Sequence, residues 1–193
     1  MSNVLPSNLN TARTHILRGN SMKRIILAAK SGTGKTTYLL NKIKAGDFDT
    51  NRLFGTLAPA DFEKDSEGNL KKTAISLCFL PEFECYRYSV PKKNFRPHVP
   101  GAMDGNIGFD LDESVNDKAN AYFKKLQSQN LGPKDIVIVD EIGPYELIKG
   151  KGIMEALKFL DMDECECTAI ITSRLQLVDV YQKRWGDIEV HYL

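Results

Sequence analysis

The segment Ala29-Lys30-Ser31-Gly32-Thr33-Gly34-Lys35-Thr36 constrains this chain more than any other feature. An apolar run from Ile25 to Ala29 precedes it, as expected of a strand buried on both faces. Gly34 to Ile43 follows with the character of a helix. A strand, a glycine-rich turn and a helix in that order form the phosphate-binding loop pattern, here with Ala29 in place of the first glycine. Gly32 and Gly34 let the backbone curl around an anion so that successive N–H groups point inward. The helix start adds the positive end of its dipole. Lys30, Ser31, Gly32, Thr33, Gly34, Lys35, Thr36 and Thr37 therefore make up the expected nucleotide-binding set. Lys35 reaches the β- and γ-phosphates, Thr36 offers a hydroxyl to Mg²⁺, and Thr37 supports the α-phosphate.

A second feature completes the first. Ile136-Val137-Ile138-Val139 is the strongest strand signal in the chain, and it delivers Asp140 and Glu141 at its C-terminal end. Open α/β sheets place their ligands at that end. A P-loop needs an acidic group there for the metal and its waters, which suits Asp140. Glu141 is then positioned to polarise a water for in-line attack, acting as the catalytic base.

The remaining elements alternate. Arg52 to Leu57 reads as a strand, Val115 to Gln129 as a helix, and Gly152 to Met162 as a helix. Thr168 to Ser173 reads as a strand, Leu175 to Arg184 as a helix, and Ile188 to Tyr192 as a last strand. Such alternation implies a mostly parallel sheet with helices on both faces. Lys72 to Leu80 and Glu84 to Val90, with Pro81 between them, predict a β-hairpin, and charged residues 61–71 precede it. Pro91 to Asp112, rich in proline and glycine, predicts a long loop. Residues 1–21 read as a polar leader and 22–193 as one domain, with the hairpin and loop inserted over about 60–112.

Composition narrows the function classes. Lys and Arg number 26 against 25 Asp and Glu, so charge gives no general attraction to nucleic acid or anionic lipid. No apolar run approaches the roughly 20 residues of a membrane span. Four cysteines, Cys78, Cys85, Cys165 and Cys167, lack paired metal spacings and a nearby histidine. They read as reduced thiols of a cytoplasmic protein.

Asp140-Glu141-Ile142-Gly143-Pro144-Tyr145-Glu146-Leu147 resembles the signature of the THEP1-type nucleoside-triphosphatases, small P-loop proteins. The resemblance extends to the P-loop, to Gly55-Thr56-Leu57-Ala58-Pro59 and to Thr172-Ser173-Arg174, and covers the chain from Arg24 to about Trp185. It implies an α/β P-loop NTPase fold and Mg²⁺-dependent hydrolysis of ATP, GTP and other triphosphates. By matching position, Lys35 and Thr36 serve phosphate and metal, Asp140 the metal, and Glu141 the water.

Four further assignments follow from position. Arg174 closes a strand on the P-loop edge and is placed to stabilise charge on the transferring phosphoryl group, with an ion pair as the plainer role. Glu146 acts structurally or faces the γ-phosphate. Arg96, Lys92 and Lys93 are weaker candidates, because charged loops are usually only solvated. Trp185 and Tyr181 read as helix packing. A kinase with a small acceptor and a nucleotide-dependent switch with a protein partner stand as alternatives to hydrolysis.

Overall fold

The computed structural model describes residues 21–93 and 108–193. The leader, Arg96 and most of the predicted Pro91–Asp112 loop lie outside the described residues. Among the described residues, nine strands form one mixed sheet. Five of them run parallel: β2 (Leu53–Leu57), β7 (Ile136–Val139), β8 (Thr168–Arg174), β1 (Lys23–Ala29) and β9 (Glu189–Tyr192), side by side in that order. The others, β3 (Ala60–Lys64), β4 (Leu70–Leu80), β5 (Glu84–Pro91) and β6 (Phe109–Leu111), continue the sheet antiparallel from β2.

The apolar runs explain the parallel half. Along β1, Ile26 and Ala28 enter one core, while Leu27 enters the other; along β7, Val137 and Val139 oppose Ile138. Along β8, Ala169 and Ile171 oppose Ile170 in the same way. Strands with both faces covered cannot alternate apolar with polar, so they read as unbroken hydrophobic runs. One face is covered by helix α1 (Lys35–Lys44), through Leu39 and Ile43. The other is covered by α2 (Glu113–Gln127), α4 (Met154–Leu160) and α5 (Val178–Trp185). There Phe123 and Phe159 are fully buried with ring centroids 6.3 Å apart. Tyr181 is buried too, stacked on Trp185 at 5.1 Å and donating its hydroxyl to the Ile142 carbonyl at 2.7 Å, so this pair packs as expected.

Gly55 marks where two strands press closest. It has φ 102°, and a Cβ there would lie 1.9 Å from the Ile138 carbonyl oxygen of β7. Only glycine fits this contact.

The insertion is larger than a hairpin. The predicted pair is present as β4 and β5, but residues 60–64, read as part of a charged approach to it, pair with β4 as β3. Phe109–Leu111, assigned to a loop, pairs with β5 as β6. The segment after β7 likewise holds a further short helix, α3 (Pro144–Lys149). The cysteine expectation is corrected here. The β4–β5 register sets Cys78 opposite Cys85 with Cα atoms 4.0 Å apart, and the two form a disulfide. Spacing alone does not reveal that pairing, because the turn fixes which residues face each other. Cys165 and Cys167 are free, buried thiols. No described helix is long and apolar enough to cross a membrane.

Candidate active site

The P-loop joins the end of β1 to α1. Gly32 and Gly34 adopt φ 81° and 90°, in the left-handed region that favours glycine. A Cβ on either would meet open space or ordinary contact, so the requirement is conformational rather than steric. Ala29 is the last residue of β1 and is buried within its ladders, a position that makes no demand for glycine. The departure from the pattern there is harmless.

Lys35 opens α1, and its ammonium donates to the Lys30 carbonyl at 3.2 Å across the loop. The same carbonyl accepts the Thr33 hydroxyl at 2.8 Å. Burial pulls the Lys35 ammonium below its ordinary pKa, while Glu141 and Asp140 act to keep the proton on. Thr36 is half-buried; Ser31, Gly32, Thr33, Gly34 and Thr37 are exposed around the loop. No side chain caps the start of α1, so its first N–H groups face the loop without a competing acceptor.

Strand β8 separates β1 from β7, so the acidic pair stands two strands away from the P-loop. Asp140 is buried and held at both oxygens. The Ala58 N–H donates to Oδ2 at 2.8 Å, and the Thr172 hydroxyl donates to Oδ1. Thr172 in turn accepts the Glu141 N–H at 3.0 Å. This hydroxyl, at the end of β8, ties the two acidic residues together. In the sequence Thr172 stands only within the Thr172-Ser173-Arg174 motif, a polar residue near the end of a buried strand.

Glu141 has φ 68°, a left-handed conformation that is unfavourable for a residue with a Cβ. Such strain clusters at functional sites, where the surrounding structure over-determines it. The Glu141 side chain opens onto the cleft, yet protein crowds round it. Burial, then the neighbouring Asp140, pushes its carboxyl above the ordinary range, and Lys72, Arg174 and Lys35 oppose that.

One cleft brings part of the predicted set together; Lys30, Gly32, Thr33, Gly34, Thr36 and Thr37 are not among the residues lining it. Ser31, Lys35, Glu141, Thr172 and Arg174 line a recess of about 50 Å³. Beside it lies a cavity of about 130 Å³ that shares Ser31, Glu141 and Arg174 and continues against the insertion. Arg174, opposite Ala29 in the β1–β8 ladder, is exposed at the rim. Lys72 of β4 also lines the cavity, and sequence reasoning missed it. Glu146 lines this cavity too, with both carboxylate oxygens engaged by backbone donors. Its Oε2 accepts the Gly143 N–H at 3.0 Å and its Oε1 the Ile153 N–H at 3.3 Å, so it fastens α3 to the start of α4.

The oxygen donors of Thr36 and Asp140 suit a hard cation such as Mg²⁺, which takes few protein ligands and completes its shell with phosphate and water. No group of three His, Cys, Asp or Glu residues capable of holding a metal occurs among the described residues.

The parallel sheet, the P-loop at its edge and the acidic strand end define a P-loop nucleoside-triphosphatase fold. The fold is similar to that of THEP1 from the hyperthermophile Aquifex aeolicus, whose crystal structure superposes with a TM-score of 0.54 at 20% identity, over 87% of this chain and 88% of that one. A solution structure of a human cancer-related nucleoside triphosphatase aligns over 90% of this chain and 88% of that one, at 14% identity and a TM-score of 0.49. No protein-family model matches the sequence, and no curated protein does.

Proposed function

We propose that this protein hydrolyses nucleoside triphosphates, ATP and GTP among them, to the diphosphate and inorganic phosphate with Mg²⁺. The observation that carries the reading is the shared cleft of P-loop, acidic strand end and Arg174. In this reading the loop N–H groups and Lys35 hold the β- and γ-phosphates. Thr36 and Asp140 hold Mg²⁺, which supplies charge neutralisation on the phosphate oxygens. Asp140 is suited to this because Ala58 and Thr172 fix its carboxylate. Glu141 takes the proton of the attacking water, and Arg174 stabilises the charge that develops as the γ-phosphoryl group departs.

Phosphate release from ATP, GTP, CTP and UTP with Mg²⁺ tests this. Lys35→Ala is expected to remove tight triphosphate binding. Glu141→Gln is expected to keep binding and slow turnover by roughly 10²-fold or more. Unchanged turnover in Glu141→Gln removes it as the base.

One observation favours a second reading, transfer to a small acceptor. The 130 Å³ cavity beside Glu141 is walled by Ile75, Leu77, Phe109 and Ile153, surfaces that a water nucleophile does not require. It is well below the roughly 300–1,000 Å³ of drug-sized sites, so its occupant would be compact. A kinase would move label from γ-labelled ATP to an added alcohol and release little phosphate without one.

A further inference from the structure

We propose that Lys72, carried into the cleft by the antiparallel insertion, is a catalytic residue that contacts the γ-phosphate of the bound triphosphate. This inference rests on the triphosphatase reading of the site and adds a cation that no motif predicts.

The backbone gives the reason Lys72 points where it does. Strict alternation along β4 would put residues 71, 73, 75 and 77 on one face and Lys72 on the other. Yet Lys72, Ile75 and Leu77 line the same cavity. The β3–β4 register accounts for this: Asp61 faces Ala74, but Phe62 faces Lys72, so Thr73 is an extra residue in β4. A β-bulge of this kind flips the alternation and re-aims the side chains beyond it. A second bulge, at Tyr88 in the partner strand β5, lets both Tyr88 and Ser89 line the same cavity. Two bulges facing one cavity beside the acidic pair are a local departure from sheet geometry with a common result.

The chemistry of the surroundings agrees. Lys72 shares the cavity with Ser31 of the P-loop, with Asp140 and Glu141, and with Arg174. Its ammonium lies 5.8 Å from the centre of the Phe109 ring, which supports the side chain without neutralising it. A half-buried lysine among those groups is within the electrostatic reach of a terminal phosphate. Positioned cations at the transferring phosphoryl group act where charge develops.

The test uses the full chain with Lys72→Met, which keeps the stem and removes the charge, and Lys72→Arg, which restores a charge. With Mg–ATP, Lys72→Met is expected to lower kcat by roughly 10²-fold, and Lys72→Arg to recover part of it. Affinity for a non-hydrolysable ATP analogue is expected to fall in Lys72→Met, while affinity for ADP and the melting temperature stay at wild-type values. That split separates γ-phosphate contact from support of the insertion. Equal loss of ADP and ATP-analogue binding, or wild-type turnover in Lys72→Met, overturns the proposal and leaves the triphosphatase reading intact. If the wild type releases no phosphate from any triphosphate, that reading fails, and the ATP-analogue against ADP comparison alone decides for or against Lys72.

Discussion

The two halves of this sheet are built by different rules. In the parallel half, β1, β7 and β8 bury both faces, and their central residues are apolar. In the antiparallel half, β3 is exposed along most of its length, β5 alternates, and bulges interrupt both the β3–β4 and β4–β5 ladders. The first half is a rigid platform that delivers side chains at its strand ends. The second is a wall whose side chains are aimed by irregularities.

The sharpest way to break this comparison is to remove a large side chain from each half's surroundings. Phe123→Ala, under the parallel half, deletes a fully buried ring between Tyr122 and Phe159 and is expected to cost about 3–5 kcal/mol. Phe62→Ala on β3 removes a ring that is 51% exposed and is expected to stay within about 0.5 kcal/mol. Chemical denaturation of both variants measures the gap, and equal losses would erase the distinction.

A smaller effect tests where the platform ends. Glu146→Gln leaves one of two backbone donors, Gly143 or Ile153, facing an amide NH₂ instead of an oxygen. Because such a buried donor goes unpaired, the expected loss is about 1–3 kcal/mol of stability. Turnover per folded molecule should change only a few-fold, in contrast with Glu141→Gln. A turnover loss that matched Glu141→Gln would make Glu146 part of the chemistry.

The smallest effect lies far from both. Asp161 is desolvated, which raises its pKa, but its hydrogen bonds from Arg184, at 2.7 and 2.6 Å, and from Trp185 outweigh that and hold it below 3.8. A depressed carboxyl contributes stability above its unfolded pKa and loses it as pH falls through the folded one. Asp161→Asn is therefore expected to cost less than about 1 kcal/mol at neutral pH, given its partial exposure. In thermal melts the difference from wild type should fade below about pH 4.

How much of this was legible follows the same division. The runs Ile25–Ala29 and Ile136–Val139 announce their strands because burial on both faces excludes polar residues. Lys35 and Thr36 follow the first of those strands across its glycine loop, Asp140 and Glu141 follow the second directly, and Arg174 ends β8 between them. Lys72 was not legible. Its orientation depends on one unpaired residue, Thr73, and a period-two reading assigns it to the wrong face. The Cys78–Cys85 pairing was hidden for the same reason, since it exists only once the register is set. Thr172 stood in plain view, but its link between Asp140 and Glu141 is a contact between strand ends that are distant in sequence.

The placement of β8 between β1 and β7 has a further consequence, which is metric. Neighbouring strands lie about 4.8 Å apart, so one intervening strand holds the two ligand-bearing edges roughly 9–10 Å from each other. That gap is fixed by backbone hydrogen bonds and owes nothing to any side chain. It is wide enough to seat a phosphate group between the two strand ends. The sheet's own repeat thus sets the spacing between the P-loop and the acidic strand end, and Thr172 and Arg174, at the end of the strand that makes the gap, form its floor and rim.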